Sequence, residues 1–140
     1  MTEPIYPCLW FDGQARQAAD FYCSVFKNSK IISDNPMVVI FELNGRKFMG
    51  LNGGPHFKFN EAVSFVVNCA DQQEIDYYWD QLTKGGSESM CGWLKDKYGV
   101  SWQIVPAILG ELMNDPQKGQ RVMDAFMKMK KFDIATLLKA

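Results

Sequence analysis

A repeat of one folding unit is the feature of this sequence that most constrains its fold. When the chain is compared with itself at an offset of 56 residues, Asp20-Phe21-Tyr22 aligns with Asp76-Tyr77-Tyr78. Apolar residues recur three and four positions apart in both segments, which predicts two amphipathic helices. The first helix is expected to end near Asn28-Ser29 and the second at Gly85-Gly86. Chance similarity between two amphipathic helices is the alternative, and the order of the flanking strands is the evidence against it.

Strand patterns surround both helices in the same order. Apolar runs at 37–43 and 47–52 flank Asn44-Gly45, a dipeptide that predicts a hairpin turn. In the second copy Gly99 takes the place of Gly45, at an offset of 54, between weaker runs. A strand pattern also precedes each helix, at 6–11 and 63–69. The predicted unit is therefore a strand, a helix and two or three further strands, present twice.

The segment between the two copies is Asn52-Gly53-Gly54-Pro55, which is rich in residues that end regular structure. We therefore expect a first module at about 4–54, a second at about 60–107 and a helical segment at about 108–140. A chain of 140 residues has the usual size of one domain, so these parts are predicted to form a single domain, 1–140.

The C-terminal segment is predicted to be helical throughout. Asp115-Pro116 has the pattern of a helix start, with Asp as the N-cap and Pro in the first turn. An apolar stripe follows at residues 122, 123, 126, 127 and 129. We expect this helix to pack against the rest of the domain.

Composition excludes several classes of function. The chain carries 15 basic and 16 acidic side chains, a net charge of -1, so it lacks the basic face that nucleic acids require. No apolar run approaches the roughly 18 residues of a membrane span, and the start Met-Thr-Glu-Pro does not resemble a signal peptide. The four cysteines are widely spaced, without a CxxC pair, which favours reduced thiols. We therefore expect a cytoplasmic protein with neither a nucleic-acid nor a membrane partner.

Four segments carry a resemblance to a known family. The chain is similar to the PhnB-like branch of the glyoxalase and bleomycin-resistance superfamily, also called vicinal oxygen chelate proteins. The segments are Cys8-Leu9-Trp10-Phe11-Asp12-Gly13, Phe41-Glu42-Leu43-Asn44-Gly45, Leu51-Asn52-Gly53-Gly54-Pro55, and the run from Cys91 to Pro106 that contains Asp96-Lys97-Tyr98-Gly99-Val100-Ser101-Trp102-Gln103. The similarity extends over nearly the whole chain.

The resemblance implies an α+β fold of two βαβββ modules that form a curved mixed sheet, with a ligand pocket on its concave face and a homodimer as the assembly. Members of this branch often carry the label of a demethylubiquinone methyltransferase. The eleven glycines include no G-x-G, so the loop that would hold a nucleotide-like cofactor at a helix N-terminus is missing. No cofactor is predicted.

The resemblance also indicates where a superfamily metal ion would bind, at the first and last strands of each module. The residues at those positions are Tyr6 or Cys8 and Met49 in the first module, and Ala62 or Ser64 and Gln103 in the second. Zinc, iron and nickel prefer imidazole, carboxylate or thiolate donors. This set offers at most one thiolate and one amide oxygen, so no metal site is predicted.

Three further residues are candidates for chemistry, each with a structural alternative. Glu42 lies in an apolar strand, where desolvation would raise the pKa of its carboxyl and suit a general base. The alternative is that strand alternation places Glu42 on a solvated face. Cys91 is a candidate nucleophile, or a small buried hydrophobe. His56, the only histidine, lies in the linker either at the edge of a pocket or as a surface residue.

Strand parity predicts the pocket lining. If Gln103 faces the cavity, Trp102 and Ile104 face the helices, and Ser64 and Asn68 lie on the pocket face. The predicted ligand-binding residues are Cys8, Trp10, Ser64, Asn68 and Gln103, with Asn52, His56 and Trp93 at the rim. This mostly apolar lining with neutral hydrogen-bonding groups suits an uncharged or weakly polar small molecule.

Three hypotheses about function follow. The first is a metal-free small-molecule-binding protein, and whether it catalyses a reaction is left open. The second is a metal-dependent lyase, isomerase or dioxygenase, which requires Cys8, Glu42, His56 or Gln103 to converge in a folded dimer. The third is a methyltransferase acting on a quinone precursor.

Overall fold

Each half of the chain forms a mixed four-stranded sheet with a helix packed on one face. The computed structural model describes residues 3–140, so Met1 and Thr2 of the predicted N-terminus lie outside the described range. The first compact unit ends at Phe59 and the second comprises Asn60–Ala140. This boundary falls in the interval predicted to separate the two modules.

The first unit has the order strand, helix and three strands. Its elements are β1 (Cys8–Phe11), α1 (Ala15–Val25), β2 (Lys30–Asp34), β3 (Val38–Leu43) and β4 (Arg46–Asn52). The strand order is β1-β4-β3-β2, with β1 parallel to β4 and the other neighbours antiparallel. The first strand begins two residues later than predicted, because Pro7 has no N–H to donate to a ladder.

The second unit repeats this topology. Its elements are β5 (Ser64–Cys69), α2 (Gln72–Thr83), β6 (Ser87–Glu88), β7 (Trp93–Lys95) and β8 (Ser101–Pro106), in the order β5-β8-β7-β6. Its β5 and β8 are parallel, and β7 is antiparallel to both β8 and β6. The predicted α+β class and the two βαβββ modules are confirmed, with the strands divided between two sheets.

The core of the first unit lies between α1 and its sheet. Alternate residues of β3, namely Val39, Phe41 and Leu43, are buried, as alternation with a period of two requires. The small side chains of α1 permit close packing: a Cβ on Gly50 would lie 3.2 Å from the Cβ of Ala15. The side chains buried on α1 are Ala15, Ala18, Ala19, Tyr22 and Val25.

The predicted hairpin between β3 and β4 is confirmed. Asn44 and Gly45 both adopt left-handed backbone conformations, with φ of 53° and 78°. A two-residue loop with positive φ at both positions matches the right-handed twist of the flanking strands. The Asn-Gly pair therefore determines the register of this strand pair, in which Leu43 pairs with Arg46.

The C-terminal segment is helical, as predicted. It consists of three short helices: α3 (Leu109–Met113), α4 (Gly119–Phe126) and α5 (Ile134–Lys139). The Asp115 carboxylate accepts hydrogen bonds from the N–H groups of Gln117 (2.8 Å) and Lys118 (3.0 Å). These are the hydrogen bonds of an N-cap, and the Gly119 N–H donates to the Asp115 carbonyl at 2.8 Å. Asp115 therefore caps one turn that leads into α4, whose regular helix begins at Gly119.

The last of these helices is attached to α2 by one glutamine. Gln72 donates from Nε2 to the Phe132 carbonyl at 2.9 Å and accepts at Oε1 from the Ile134 N–H at 2.8 Å. Asp76 forms an ion pair with Lys131 at 2.9 Å. The chain between α4 and α5 is therefore fixed against α2 by polar contacts.

Within residues 3–140, no helix is long and apolar enough to cross a membrane.

Candidate functional site

In each unit the helix covers one face of the sheet, and most of the predicted site residues project from the other, which we call the helix-free face. In the second unit Trp102 and Ile104 are buried towards α2, whereas Gln103 points to the helix-free face. The predicted strand parity is thus confirmed. The predicted site residues on these faces are Cys8, Trp10 and Glu42 in the first unit, and Ser64, Asn68, Trp93 and Gln103 in the second.

A neutral hydrogen-bonded pair lies at the centre of the helix-free face of the second unit. Gln103 donates from Nε2 to the Ser64 hydroxyl at 2.9 Å. The ladder pairs Gln103 with Trp93 on one side and with Val66 on the other, and Val66 is 55% exposed. An amide has two donor hydrogens and one acceptor oxygen. Gln103 therefore retains capacity to bind a ligand carbonyl or hydroxyl group beside an apolar surface.

Trp10 lies against the glycine loop that follows β4. Its indole Nε1 donates to the Gly54 carbonyl at 2.9 Å, and its ring packs edge-on against Phe57 at a centroid distance of 4.9 Å. A Cβ on Gly53 would lie only 2.3 Å from Trp10 Cζ2. Gly53 is therefore required for the position of the indole, a role that its place in the linker does not reveal.

We expect Gly53→Ala to displace Trp10 and to lower the free energy of unfolding by about 1–3 kcal/mol, because overpacking forces a large ring to move. Urea unfolding and the emission maximum of tryptophan fluorescence would both report the change. Gly110→Ala is the matched control, since a Cβ there meets no atom within 4 Å. An unchanged stability and spectrum for Gly53→Ala would contradict this account of the loop.

Asn52 has a structural role that accounts for its position. Its Oδ1 accepts from the Ala15 N–H at 2.9 Å, and its Nδ2 donates to the Pro36 carbonyl at 2.9 Å. The N-cap residue of α1, Gln14, makes no side-chain cap hydrogen bond. Asn52 thus satisfies a donor of the helix terminus from the end of β4, and a role in ligand binding remains a prediction.

The remaining predicted binding residues lie at accessible positions. Cys8 is exposed and pairs with Met49 across β1 and β4. Partial desolvation raises the pKa of the Cys8 thiol above its ordinary value, which keeps the sulfur protonated near neutral pH. Asn68 is exposed on β5, and His56 is exposed in the turn after β4.

The two predicted catalytic residues differ in their surroundings. Glu42 is half-buried on the helix-free face, and its ladder neighbours on the two sides are Lys30 and Lys47. Cys91 belongs to the second unit and has a left-handed backbone, with φ of 59°. Its Sγ lies 3.8 Å from the Met127 Sδ. Both roles remain predictions.

The residues at the superfamily metal positions do not fit a transition metal. Tyr6 and Ala62 lie outside the strands. The remaining positions supply the Cys8 thiol, whose pKa is raised, the Met49 thioether and the hydrogen-bonded Ser64–Gln103 pair. Transition-metal ions prefer imidazole, carboxylate or thiolate ligands. Over residues 3–140, no cluster of three or more His, Cys, Asp or Glu side chains could hold a metal ion.

Two features of the second unit escape sequence reasoning. Asp96 is 3% exposed. Its carboxylate accepts hydrogen bonds from two N–H groups of the loop between β7 and β8 and from the Trp102 indole. An Asp before a glycine turn is a recognisable signal, but its burial is not. Lys95 and Ser101 form a ladder pair beside Gln103, and extending the parity argument by two residues would have placed Ser101 on the same face.

Comparison with known proteins agrees with this geometry. A family model described as 3-demethylubiquinone-9 3-methyltransferase matches residues 3–105. A solved PhnB protein from Bacillus cereus that carries the same methyltransferase name is 34% identical, with a TM-score of 0.69 over 75% of this chain and 100% of that one. The chain belongs to the PhnB-like family. The resemblance noted in the sequence is thus confirmed.

More distant structures share the fold. A Pseudomonas aeruginosa protein is 20% identical, with a TM-score of 0.64 over 75% of this chain and 98% of that one. The fosfomycin resistance protein FosX from Listeria monocytogenes, solved with Mn(II) and sulfate, is 11% identical, with a TM-score of 0.57 over 74% and 89% of the two chains. These two likenesses show a shared fold alone. A search of curated proteins gave no match.

Proposed function

We propose that this PhnB-like protein binds a small organic molecule on the helix-free face of its second unit, without a metal ion. The observation that carries the proposal is the Ser64–Gln103 hydrogen bond. It places a neutral donor and acceptor pair where metal-using relatives would have ligands. The half-buried Trp93 and the exposed Val66 flank this pair in the ladder, so polar recognition and apolar contact lie side by side.

The first unit supports the same interpretation. Its helix-free face carries Ile40, Met49 and Leu51, all half-buried. These side chains offer apolar surface, and thioethers adapt readily to ligands of irregular shape. We propose that Cys8, Trp10, Asn52, His56 and Asn68 belong to ligand-contacting surfaces of the two units, each within its own unit.

A homodimer in the cytoplasm is part of this proposal. Several large apolar side chains are exposed, among them Ile32, Met37 and Val66. Exposed apolar surface of this kind is typical of interaction sites. Native mass spectrometry would show a mass of twice 16.0 kDa for the dimer, together with any organic molecule that is retained.

The proposal is tested by a ligand screen on wild-type and Gln103→Ala protein. Molecules that raise the melting temperature of the wild type should bind Gln103→Ala about tenfold more weakly, because each lost hydrogen bond to a neutral group costs about 1 kcal/mol and its partner is left unpaired. Isothermal calorimetry would measure the affinities. Gln73→Ala, an exposed site on α2, is the control. Equal affinity in Gln103→Ala, or failure of every ligand to bind, would refute the proposal.

Two other functions are separated by direct measurement. The family name suggests methyl transfer to a quinone precursor, and calorimetry with S-adenosylmethionine would then show heat of binding. The fold shared with FosX suggests a metal-dependent lyase, isomerase or dioxygenase, and elemental analysis would then find a stoichiometric transition metal. We expect neither result, because the chain has neither a G-x-G loop nor a suitable donor set.

A further inference from the structure

A row of polar residues crosses the sheet of the second unit. The ladders pair Ser64 with Ser101, Ser101 with Lys95, and Lys95 with Ser87, in the strand order β5-β8-β7-β6. Paired residues share one face of a sheet. The next residue of β8, Trp102, is buried towards α2, so the row lies on the helix-free face. It combines three hydroxyl groups with one ammonium group.

A cavity of about 330 Å³ lies over one end of this row. Its lining includes Glu61, Ser87, Glu88, Trp93, Lys95 and Ser101. Ser101 is only 1% exposed, and within residues 3–140 its hydroxyl has no hydrogen-bond partner. Buried hydroxyl groups in native proteins are nearly always hydrogen-bonded, and an unpaired one costs about 1–3 kcal/mol. The site therefore lacks a polar group that a ligand would supply.

The charges around the cavity indicate what that group is. Glu88 also lines the cavity, but its Oε1 accepts a hydrogen bond from the Trp79 indole of α2 at 3.2 Å. Lys95 forms an ion pair with Glu61, which lies in the turn before β5 and whose side chain is 60% exposed. The Lys95 ammonium holds the pKa of the Glu61 carboxyl below its ordinary value. The Glu61 carboxylate is thus paired with the Lys95 ammonium group at the edge of the cavity.

We propose that this cavity binds an oxyanion of the ligand, a carboxylate or phosphoryl group, with Lys95 and Ser101 as its contacts and Glu61 as an intramolecular competitor. The inference rests on the proposed function, since the cavity adjoins the Ser64–Gln103 pair. The ligand oxyanion takes over the ion pair from Glu61 and accepts a hydrogen bond from Ser101. The exchange replaces one anion by another at Lys95, and exposed ion pairs of the Glu61–Lys95 kind are weak enough to be exchanged.

The class of ligand is tested with three probes of one shape. Benzoate, phenylphosphonate and benzamide share a ring but carry a carboxylate, a phosphonate and a neutral amide. We expect one or both anions to bind, with the amide signals of Lys95 and Ser101 shifting in NMR titrations, and benzamide to bind more weakly. The two anions distinguish a carboxylate ligand from a phosphoryl ligand.

Three substitutions test the contacts. Glu61→Gln should tighten anion binding about threefold, because it removes a competing exposed ion pair. Lys95→Gln and Ser101→Ala should each weaken it about tenfold, because charge-assisted hydrogen bonds are lost, while benzamide binding changes little. The controls are Glu111→Gln and Lys84→Gln, at exposed positions outside the cavity. Circular dichroism would confirm that the variants are folded.

The outcomes distinguish a failure of this inference from a failure of the proposed function. Equal binding of anions and benzamide, or anion binding that Glu61→Gln and Ser101→Ala leave unchanged, would overturn the oxyanion site. If the anions fail while another molecule binds in a Gln103-dependent manner, the oxyanion site is wrong and the proposed function stands. If no small molecule binds, both fail.

Discussion

Asp96→Ala should lower the free energy of unfolding by about 3–5 kcal/mol, one of the largest effects expected from a single substitution in this chain. The Asp96 Oδ1 accepts from the N–H groups of Tyr98 (2.8 Å) and Val100 (3.1 Å), and Oδ2 accepts from the Trp102 indole at 2.9 Å. Val100 and Trp102 are buried, so alanine would remove the carboxylate to which both of these buried residues donate. Urea-induced unfolding followed by circular dichroism would measure the loss.

A double-mutant cycle identifies which contact carries this stability. Asp96→Asn keeps one oxygen but places an NH₂ group opposite a donor, either the indole or the loop N–H groups. Trp102→Phe removes the indole donor, so Asp96→Asn should cost less in the Trp102→Phe background than in the wild type. Additive effects, or a loss of less than about 1 kcal/mol for Asp96→Ala, would show that the carboxylate does not organise the β7–β8 loop.

The elements that sequence predicts well are those with a strong local signal. Asn44-Gly45 predicts its hairpin because two successive positive φ angles suit Asn and Gly. The edge strand β2 lacks such a signal, because four of its five residues are exposed. Its sequence therefore has no alternation of buried and exposed residues, and the strand is specified by pairing with β3 instead.

The site is less predictable because its decisive contacts join residues far apart in sequence. Strand parity correctly places Gln103 and Ser64 on one face. The module offset of 56 aligns Cys8 with Ser64, but Cys8 pairs with Met49, and the counterpart of Met49, Gln103, pairs with Val66 in the ladder. The contact with Ser64 is made by the Gln103 side chain. Spacing alone cannot provide a register or a side-chain direction of this kind.

The C-terminal segment shows the same limit. The apolar stripe predicts a packing surface, and its Val122 is indeed buried. The break between α4 and α5 depends on partners elsewhere: the Met129 and Lys130 carbonyls accept from the N–H groups of Cys91 and Gly92, at 2.7 and 2.8 Å. These bonds satisfy backbone groups that a longer helix would have paired internally. A local periodicity cannot anticipate this competition.

Phe132→Ala is expected to cost about 3–5 kcal/mol, the usual range for truncating a buried aromatic side chain. Phe132 is 1% exposed, and its ring lies so close to Gly92 that a Cβ there would be 2.4 Å from Cε2. The ring also packs near Phe126, at a centroid distance of 5.6 Å. Thermal and urea unfolding would measure the loss, and Phe57→Ala, at a 67% exposed position, should cost below about 1 kcal/mol.

Gly92 provides the complementary test of this contact. Gly92→Ala should be strongly destabilising in the wild type, because its φ of 82° disfavours a side chain and the added Cβ would meet both the Phe132 ring and the Ile104 carbonyl. In the Phe132→Ala background the ring clash is absent, so Gly92→Ala should cost less there. Equal costs in the two backgrounds would mean that the ring does not rest on Gly92. A smaller cost would show that the ring contact joins the C-terminal segment to the turn before β7, in addition to the hydrogen bond from the Gly92 N–H to the Lys130 carbonyl at 2.8 Å.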